Sequence, residues 1–304
     1  MTGSVLCEKQ SYMPIPLVGL VAADPVPFSL YLLTADETWV LYRPANSQLD
    51  ESHIGRLVAE GIGSLFIHDD DREAYFDRVE SSLRQIMLDR SMPLDVRANV
   101  LFGVASSVGE ELLGAKPTNE VVMRARRVMS SSSTLFSRES QGFHAMRRLL
   151  AGGEGLVRHS LTVSFLSMGL TRLVLGSDPE TMAIGGMAGL LHDVGKIGHE
   201  DLEHDPEHTT RGAKYLRGLD LPAAVVDAAC YHHECCDGTG FPKRMRRDDI
   251  PTVARIVALV NLFDKVYTNQ QPRVGVFDAL RILAQAYRGS FDERMAQGLV
   301  KMFR

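Results

Sequence analysis

Seven of the ten histidines in this 304-residue chain fall between His159 and His233, and that crowding limits what the chain can fold into. His192 and Asp193 close the apolar run GMAGLLHD, and His232 and His233 follow a second apolar run, Ala223 to Cys230. A hydrophobic helix that delivers a carboxylate into an apolar setting carries a large desolvation cost, which a bound cation offsets. His159 opens the helix before the first pair, and His208 lies between the pairs. Asp264 sits on a later helix, three residues after Asn261, so those two project to neighbouring positions. Imidazole together with carboxylate suits divalent iron, manganese, zinc or nickel rather than magnesium or calcium, which prefer all-oxygen shells. Five histidines and two aspartates exceed the needs of one metal. Two metals bridged by Asp193, ~3.5–4 Å apart, would use them all, and such a pair is a standard means of cleaving phosphoesters. Taken singly, each histidine reads as an ordinary packed residue; their joint occurrence carries the metal reading.

The segments that bring these residues together read as helices. Leu156, Leu161, Phe165, Met168, Leu173 and Val174 line one helix, and Met182 to Leu191 forms a second, in which Gly185, Gly186 and Gly189 permit close packing. Val253 to Val266 is a third, with Val253, Ile256, Val257, Val260, Phe263 and Val266 on one side. The first ninety residues differ, with short apolar or aromatic runs at Leu17 to Ala22, Phe28 to Leu33 and Thr38 to Tyr42. The turn residues Ala35, Asp36 and Glu37 suggest a hairpin between the last two. A helical stripe spans Ser47 to Ile62, a strand returns at Ser64 to Ile67, and Asp69 to Asp71 suits a helix start. From Pro93 to about Leu150 the pattern is helical, with Ser130 to Ser133 as its most loop-like break. That stretch reads as a connector, or as a helix pair that dimerises and sets two copies side by side.

The expected architecture is multi-domain: a small α/β regulatory domain over 1–92, a helical connector over 93–149 and an all-helical domain over 150–304. Hydrophobic residues at 45% and charged residues at 23% exclude a disordered or collagen-like chain. Cys7, Cys230, Cys235 and Cys236 form no CxxC pair, which excludes a zinc ribbon or disulfide framework. A formal charge of −5 gives no reason to expect bulk nucleic-acid binding. No apolar run reaches the ~18 residues of a membrane span. The opening MTGSVLCEKQSYMP lacks the pattern of a signal peptide, so a cytoplasmic location is expected.

The segments HS (159–160), LLHDVGK (190–196), HTTRG (208–212) and HHECCDGTGFP (232–242) resemble the HD-GYP domain, a subgroup of the HD metal-dependent phosphohydrolases. The resemblance covers roughly residues 150–304 and matches four motifs in order and spacing. It implies an HD-type all-α fold, hydrolysis of cyclic di-GMP and a centre of two or three divalent metals, iron first, with manganese, nickel or zinc as alternatives. It further implies that His159, His192, Asp193, His208, His232 and His233 are ligands, with Asp264 as the last ligand or its support. Asp193 and Lys196 would be catalytic, with Lys196 a cation for the scissile phosphate. Lys196, Gly238, Gly240, Phe241 and Arg273 would line the substrate. A diguanylate cyclase (GGDEF) domain protein is the partner it suggests, beside the second copy of the chain that the helix pair would bring.

Four departures stand out. The tyrosine of the family's Gly-Tyr-Pro is Phe241, and the first carboxylate of a DxxDA-like motif is Asn261. Gly155, with Glu154 one residue out of register, occupies the place of a third-metal glutamate, which favours two metals. Gln270 and Arg273 keep one charge of a basic pair. These departures leave three readings: a cyclic di-GMP phosphodiesterase of reduced activity, a non-catalytic cyclic di-GMP or protein-interaction module that retains the metals, or a hydrolase of another phosphorylated substrate. The basic run Lys243, Arg244, Arg246 and Arg247 is either a solvated turn or a rim that attracts anions.

Overall fold

The computed structural model describes residues 12–20, 25–34, 36–139, 141–150, 155–199, 205–269 and 274–303. It divides into two compact units, Met1–Val104 and Ala105–Arg304, and the division falls within one helix. The small unit is α/β and the large one all-helical, as the sequence patterns imply.

The small unit holds a four-stranded antiparallel sheet of order β1 (Tyr12–Pro16), β4 (Ser64–His68), β2 (Leu30–Leu33) and β3 (Trp39–Arg43). Helix α1 (Glu51–Ala59) joins β3 to β4, and α2 (Arg72–Leu88) follows the acidic turn at Asp69–Asp71. Strand alternation sets the faces: Leu65 and Ile67 are fully buried, while Ser64, Phe66 and His68 between and beside them are half-exposed. Phe66 is paired with Pro14 and Tyr31, and a half-exposed aromatic group forms there, with Tyr12 stacked on Trp39 at 4.4 Å. Two sequence expectations change. The apolar run beginning at Leu17 forms a 3-10 turn over Leu17–Leu20 rather than a strand, and residues 21–22 lie outside the described residues. The first strand is instead Tyr12–Pro16, whose Pro14 and Pro16 are tolerated because β1 is an edge of the sheet.

The large unit begins within α3 (Leu94–Gly114) and continues with α4 (Asn119–Arg138), α5 (Gly142–Leu150), α6 (Leu156–Val174) and α7 (Pro179–Leu191). Then come α8 (His208–Leu216), α9 (Ala223–Tyr231), α10 (Thr252–Asn269), α11 (Val276–Ala286) and α12 (Glu293–Lys301). Asp178 caps α7 by accepting from the Thr181 amide at 2.8 Å, and Pro179 fills the first helical position. Helices α6 and α7 approach so closely that a Cβ on Gly189 would lie 2.7 Å from the Ser164 Cα and from the Val163 carbonyl oxygen. That crossing fixes His159, near the start of α6, relative to His192, which caps the end of α7.

Helix α4 runs unbroken through Ser130–Ser133, against the expectation of a break there. Each following hydroxyl bonds back into the helix: Ser131 to the Arg127 carbonyl at 2.9 Å, Ser132 to Val128 at 2.8 Å and Ser133 to Ser130 at 2.9 Å. Serine disfavours helix interiors because its hydroxyl competes for the backbone, and here it is satisfied without leaving the helix. Far from being only a connecting segment, α4 is built into the helical unit. A Cβ on Gly186 of α7 would lie 2.9 Å from Met129 Sδ, and Arg172 of α6 donates to the Phe136 carbonyl at 2.7 Å. No helix among the described residues is long and apolar enough to cross a membrane.

Candidate metal centre

The five histidines singled out in the sequence converge on one buried carboxylate. Asp193 and His192 are wholly buried, and His208 and His232 nearly so. Asp193 Oδ1 lies 3.3 Å from His208 Nε2 and 3.4 Å from His232 Nε2, while Oδ2 lies 3.3 Å from His192 Nε2 and 3.8 Å from His159 Nε2. The ligand atoms fall into two groups that share Asp193: His208, His232 and His233 on one side, His159 and His192 on the other.

Hydrogen bonding at the back of four of the five rings turns the lone pair inward. Nδ1 of His192 donates to the Gly189 carbonyl at 2.8 Å, and Nδ1 of His232 to that of Ala229 at 3.0 Å. His208 Nδ1 donates to the Asp205 carbonyl, and His159 Nδ1 to Asp264 Oδ2 at 2.6 Å. A carbonyl only accepts, so in the neutral ring the proton sits on Nδ1 and Nε2 presents a lone pair. Nε2 of His208 and of His232 nevertheless face each other at 3.2 Å, and those of His159 and His192 at 3.3 Å. Lone pairs so close repel unless a cation lies against them. The same pattern, with a backbone or carboxylate acceptor behind each imidazole, is what holds ligating histidines in proteins. Two more acceptors, Asp193 Oδ1 and Asn261 Oδ1, are buried without a hydrogen-bond partner. The residues present therefore fit divalent metal.

Electrostatics points the same way. Burial pushes the His192 imidazole down against the pull of Asp193, and burial drives His232 down to about 3, so both rings are neutral and ligand-ready at pH 7. Burial alone would raise the Asp193 carboxyl; the His192 ring beside it holds it well below the usual carboxylate range.

Other residues support this centre. Lys196 is buried and donates to Asp193 Oδ2 at 2.6 Å. Asp264 sits behind His159 and belongs to neither ligand group. Phe241 stacks on His233 with ring centroids 4.7 Å apart and an angle of 14°. Gly238 takes a positive φ of 82° in the turn after Asp237. Gly240 lies so close to the preceding turn that a Cβ would meet the Cys235 nitrogen and the His233 oxygen at 2.4 Å. Arg273, Gln270 and Glu154 lie outside the described residues. Of the basic run, Lys243 lies over the Tyr231 ring and donates to its hydroxyl at 2.7 Å, and Arg247 pairs with Asp292 at 2.9 Å. Arg244 and Arg246 are exposed.

Two supporting residues went unassigned in the sequence. Glu234, buried directly after the histidine pair, accepts from the Lys243 amide at 2.6 Å and the Met245 amide at 2.8 Å, which closes the loop that carries Phe241. Arg211 donates through Nε to the Gly195 carbonyl at 2.7 Å and pairs with Asp205, whose carbonyl orients His208. Their signal was position alone: each lies within a motif, on a residue type rarely buried without a partner. Gly240→Ala is expected to cost about 2 kcal/mol, because the added methyl group would press on the backbone of residues 233–235, which is held by the histidine pair. Urea denaturation of the variant beside wild type checks it.

With this geometry in place, three comparisons bear on the family. Residues 174–295 match the model of the HD domain. The chain is 32% identical over 170 residues to a cyclic di-GMP phosphodiesterase of Pseudomonas aeruginosa, covering 51% of this chain and 41% of that protein. It is 29% identical over 193 residues to a cyclic di-GMP phosphodiesterase response regulator of Xanthomonas campestris, covering 58% of this chain and 51% of that one. The chain thus spans about half the length of these curated relatives or less. A solved structure described as an HDG"Y"P protein from Bdellovibrio bacteriovorus shares the fold, with a TM-score of 0.67 at 20% identity, over 96% of this chain and 99% of that one. Residues 174–295 thus match the HD domain, and over about half its length the chain is similar to cyclic di-GMP phosphodiesterases.

Proposed function

We propose that the helical unit is a phosphodiesterase with a two-metal centre that hydrolyses cyclic di-GMP. One observation carries the reading: two groups of inward-facing imidazoles meet on the two oxygens of a single buried carboxylate. His159, His192 and Asp193 would hold one metal, and Asp193, His208, His232 and His233 the other. Divalent metals bound there would polarise a scissile phosphodiester and lower the pKa of water. Asp264 holds the His159 ring in the orientation that turns Nε2 inward, and Phe241 stacks on the His233 ring. Lys196 supplies a buried cation beside Asp193, suited to the charge that builds on phosphate oxygens in the transition state. On the HD-GYP resemblance, Gly238 and Gly240 would line the ligand through the backbone of the 234–243 turn. Iron is the first choice of metal on the HD-GYP resemblance, and the donor set accommodates manganese, nickel or zinc equally well. The GGDEF-domain partner rests on the resemblance alone, and the homodimer on the helical sequence pattern of residues 93–150.

The test is cyclic di-GMP hydrolysis by protein reconstituted anaerobically with iron(II) or manganese(II), following the linear dinucleotide. Wild type is expected to form product, and His192→Ala to lower turnover at least ~100-fold, the scale of losing a metal ligand or its support. A folded, metal-loaded wild type that forms no product would overturn the reading. The missing phenol at Phe241 and the amide at Asn261 favour a second reading, in which the loaded centre binds cyclic di-GMP without cleaving it. Saturable binding with no product would establish that alternative.

A further inference from the structure

The two oxygens of Asp193 meet unlike surroundings. Oδ1 faces His208 and His232 at 3.3 and 3.4 Å, with His233 completing that group. Oδ2 faces His192 at 3.3 Å and His159 at 3.8 Å, and it alone receives the Lys196 ammonium, at 2.6 Å. Lys196 and Asp193 are both buried, so water does little to screen that pair.

Resting on the metal reading above, we propose that the two halves of the centre are unequal. The half built from His208, His232, His233 and Asp193 Oδ1 loads first and tightly. The half built from His159, His192 and Asp193 Oδ2 loads second and weakly, because a metal there must displace the Lys196 ammonium from Oδ2. Lys196 is an internal cation that competes for the second position. The donor count agrees: four side chains on the first side against three on the second, where Asp264 is already committed to Nδ1 of His159. Loading the second position also moves the ammonium off the carboxylate, which leaves it available to an anionic ligand only when both positions are filled.

The experiment is a titration of metal-free full-length protein with manganese(II), reading unbound manganese by its electron paramagnetic resonance signal. Wild type is expected to show two classes of site at least about tenfold apart in Kd, within the ~10–100-fold range by which supporting residues alter metal affinity. Lys196→Met should tighten the weaker class about tenfold and leave the tighter class unchanged, again on the scale of a supporting residue. Lys196→Gln keeps a hydrogen-bond donor without the charge and should behave alike; it serves where the methionine variant folds poorly. His159→Ala should remove the weaker class alone. Two equal sites in wild type, or a weaker class that either Lys196 variant leaves unchanged or loosens, would overturn the proposal while leaving the metal reading standing. A protein that binds no manganese would overturn the metal reading and this proposal with it.

Discussion

Asp193→Ala is expected to abolish both metal positions at once and to weaken the helical unit even without metal. The carboxylate is the one donor shared by the two imidazole groups, so no ligand set survives intact. It is also the partner of buried Lys196, and removing one member of a buried pair leaves the other charge uncompensated. That change costs ~3–5 kcal/mol, against well under 1 kcal/mol for a typical exposed pair. Denaturation in the presence of a chelator isolates the charge effect from the loss of bound metal, which would otherwise add its own stabilisation. A variant that keeps its metal, or matches the wild-type midpoint under chelator, would contradict this placement of Asp193.

The second large effect is expected from Gly195→Ala. A Cβ at this position would lie 1.9 Å from the His208 carbonyl oxygen and 2.6 Å from the Gly212 nitrogen. Both are backbone atoms, so the 3-10 turn Val194–Lys196 and α8 would have to separate. That separation draws His208 away from Asp193 and breaks the Arg211 bond to the Gly195 carbonyl. A cost of about 3 kcal/mol is expected, at the upper end for overpacking, together with loss of metal from the His208 side. Gly198→Ala is the control, for it stands at φ 77° with nothing within 4 Å of its Cβ position. It should cost ~1 kcal/mol in backbone strain and leave metal binding unchanged. Equal stability and equal metal content in wild type and Gly195→Ala would show that the turn has room to spare.

The centre was legible in the sequence because metal ligation demands residue types that apolar helices otherwise avoid. His192 with Asp193 and His232 with His233 stand out against GMAGLL and AAVVDAAC for that reason, and the structure brings all five histidines together. The close crossing of α6 and α7 was legible in Gly185 and Gly189. The role of Asp264 was less so: spacing puts it near Asn261, but only the packed structure shows that it reaches His159. Glu234 and Arg211 were invisible as supports because the bonds by which they brace the site go to backbone groups, Arg211's pairing with the Asp205 carboxylate apart, and backbone groups have no sequence signature. The serines of α4 misled because serine has two hydrogen-bonding habits, ending a helix or bonding back into it, and burial in the helical unit selects the second. At β1 the two prolines hid a strand that exists only because one side of it needs no partner.

Anomalous diffraction from crystals of the protein reconstituted with iron or manganese tests the central claim most directly. The account predicts two peaks in the helical unit, one on each side of the Asp193 carboxylate: one bounded by His159 and His192, the other by His208, His232 and His233. The absence of any peak at Asp193, or metal bound only at other residues, would contradict it.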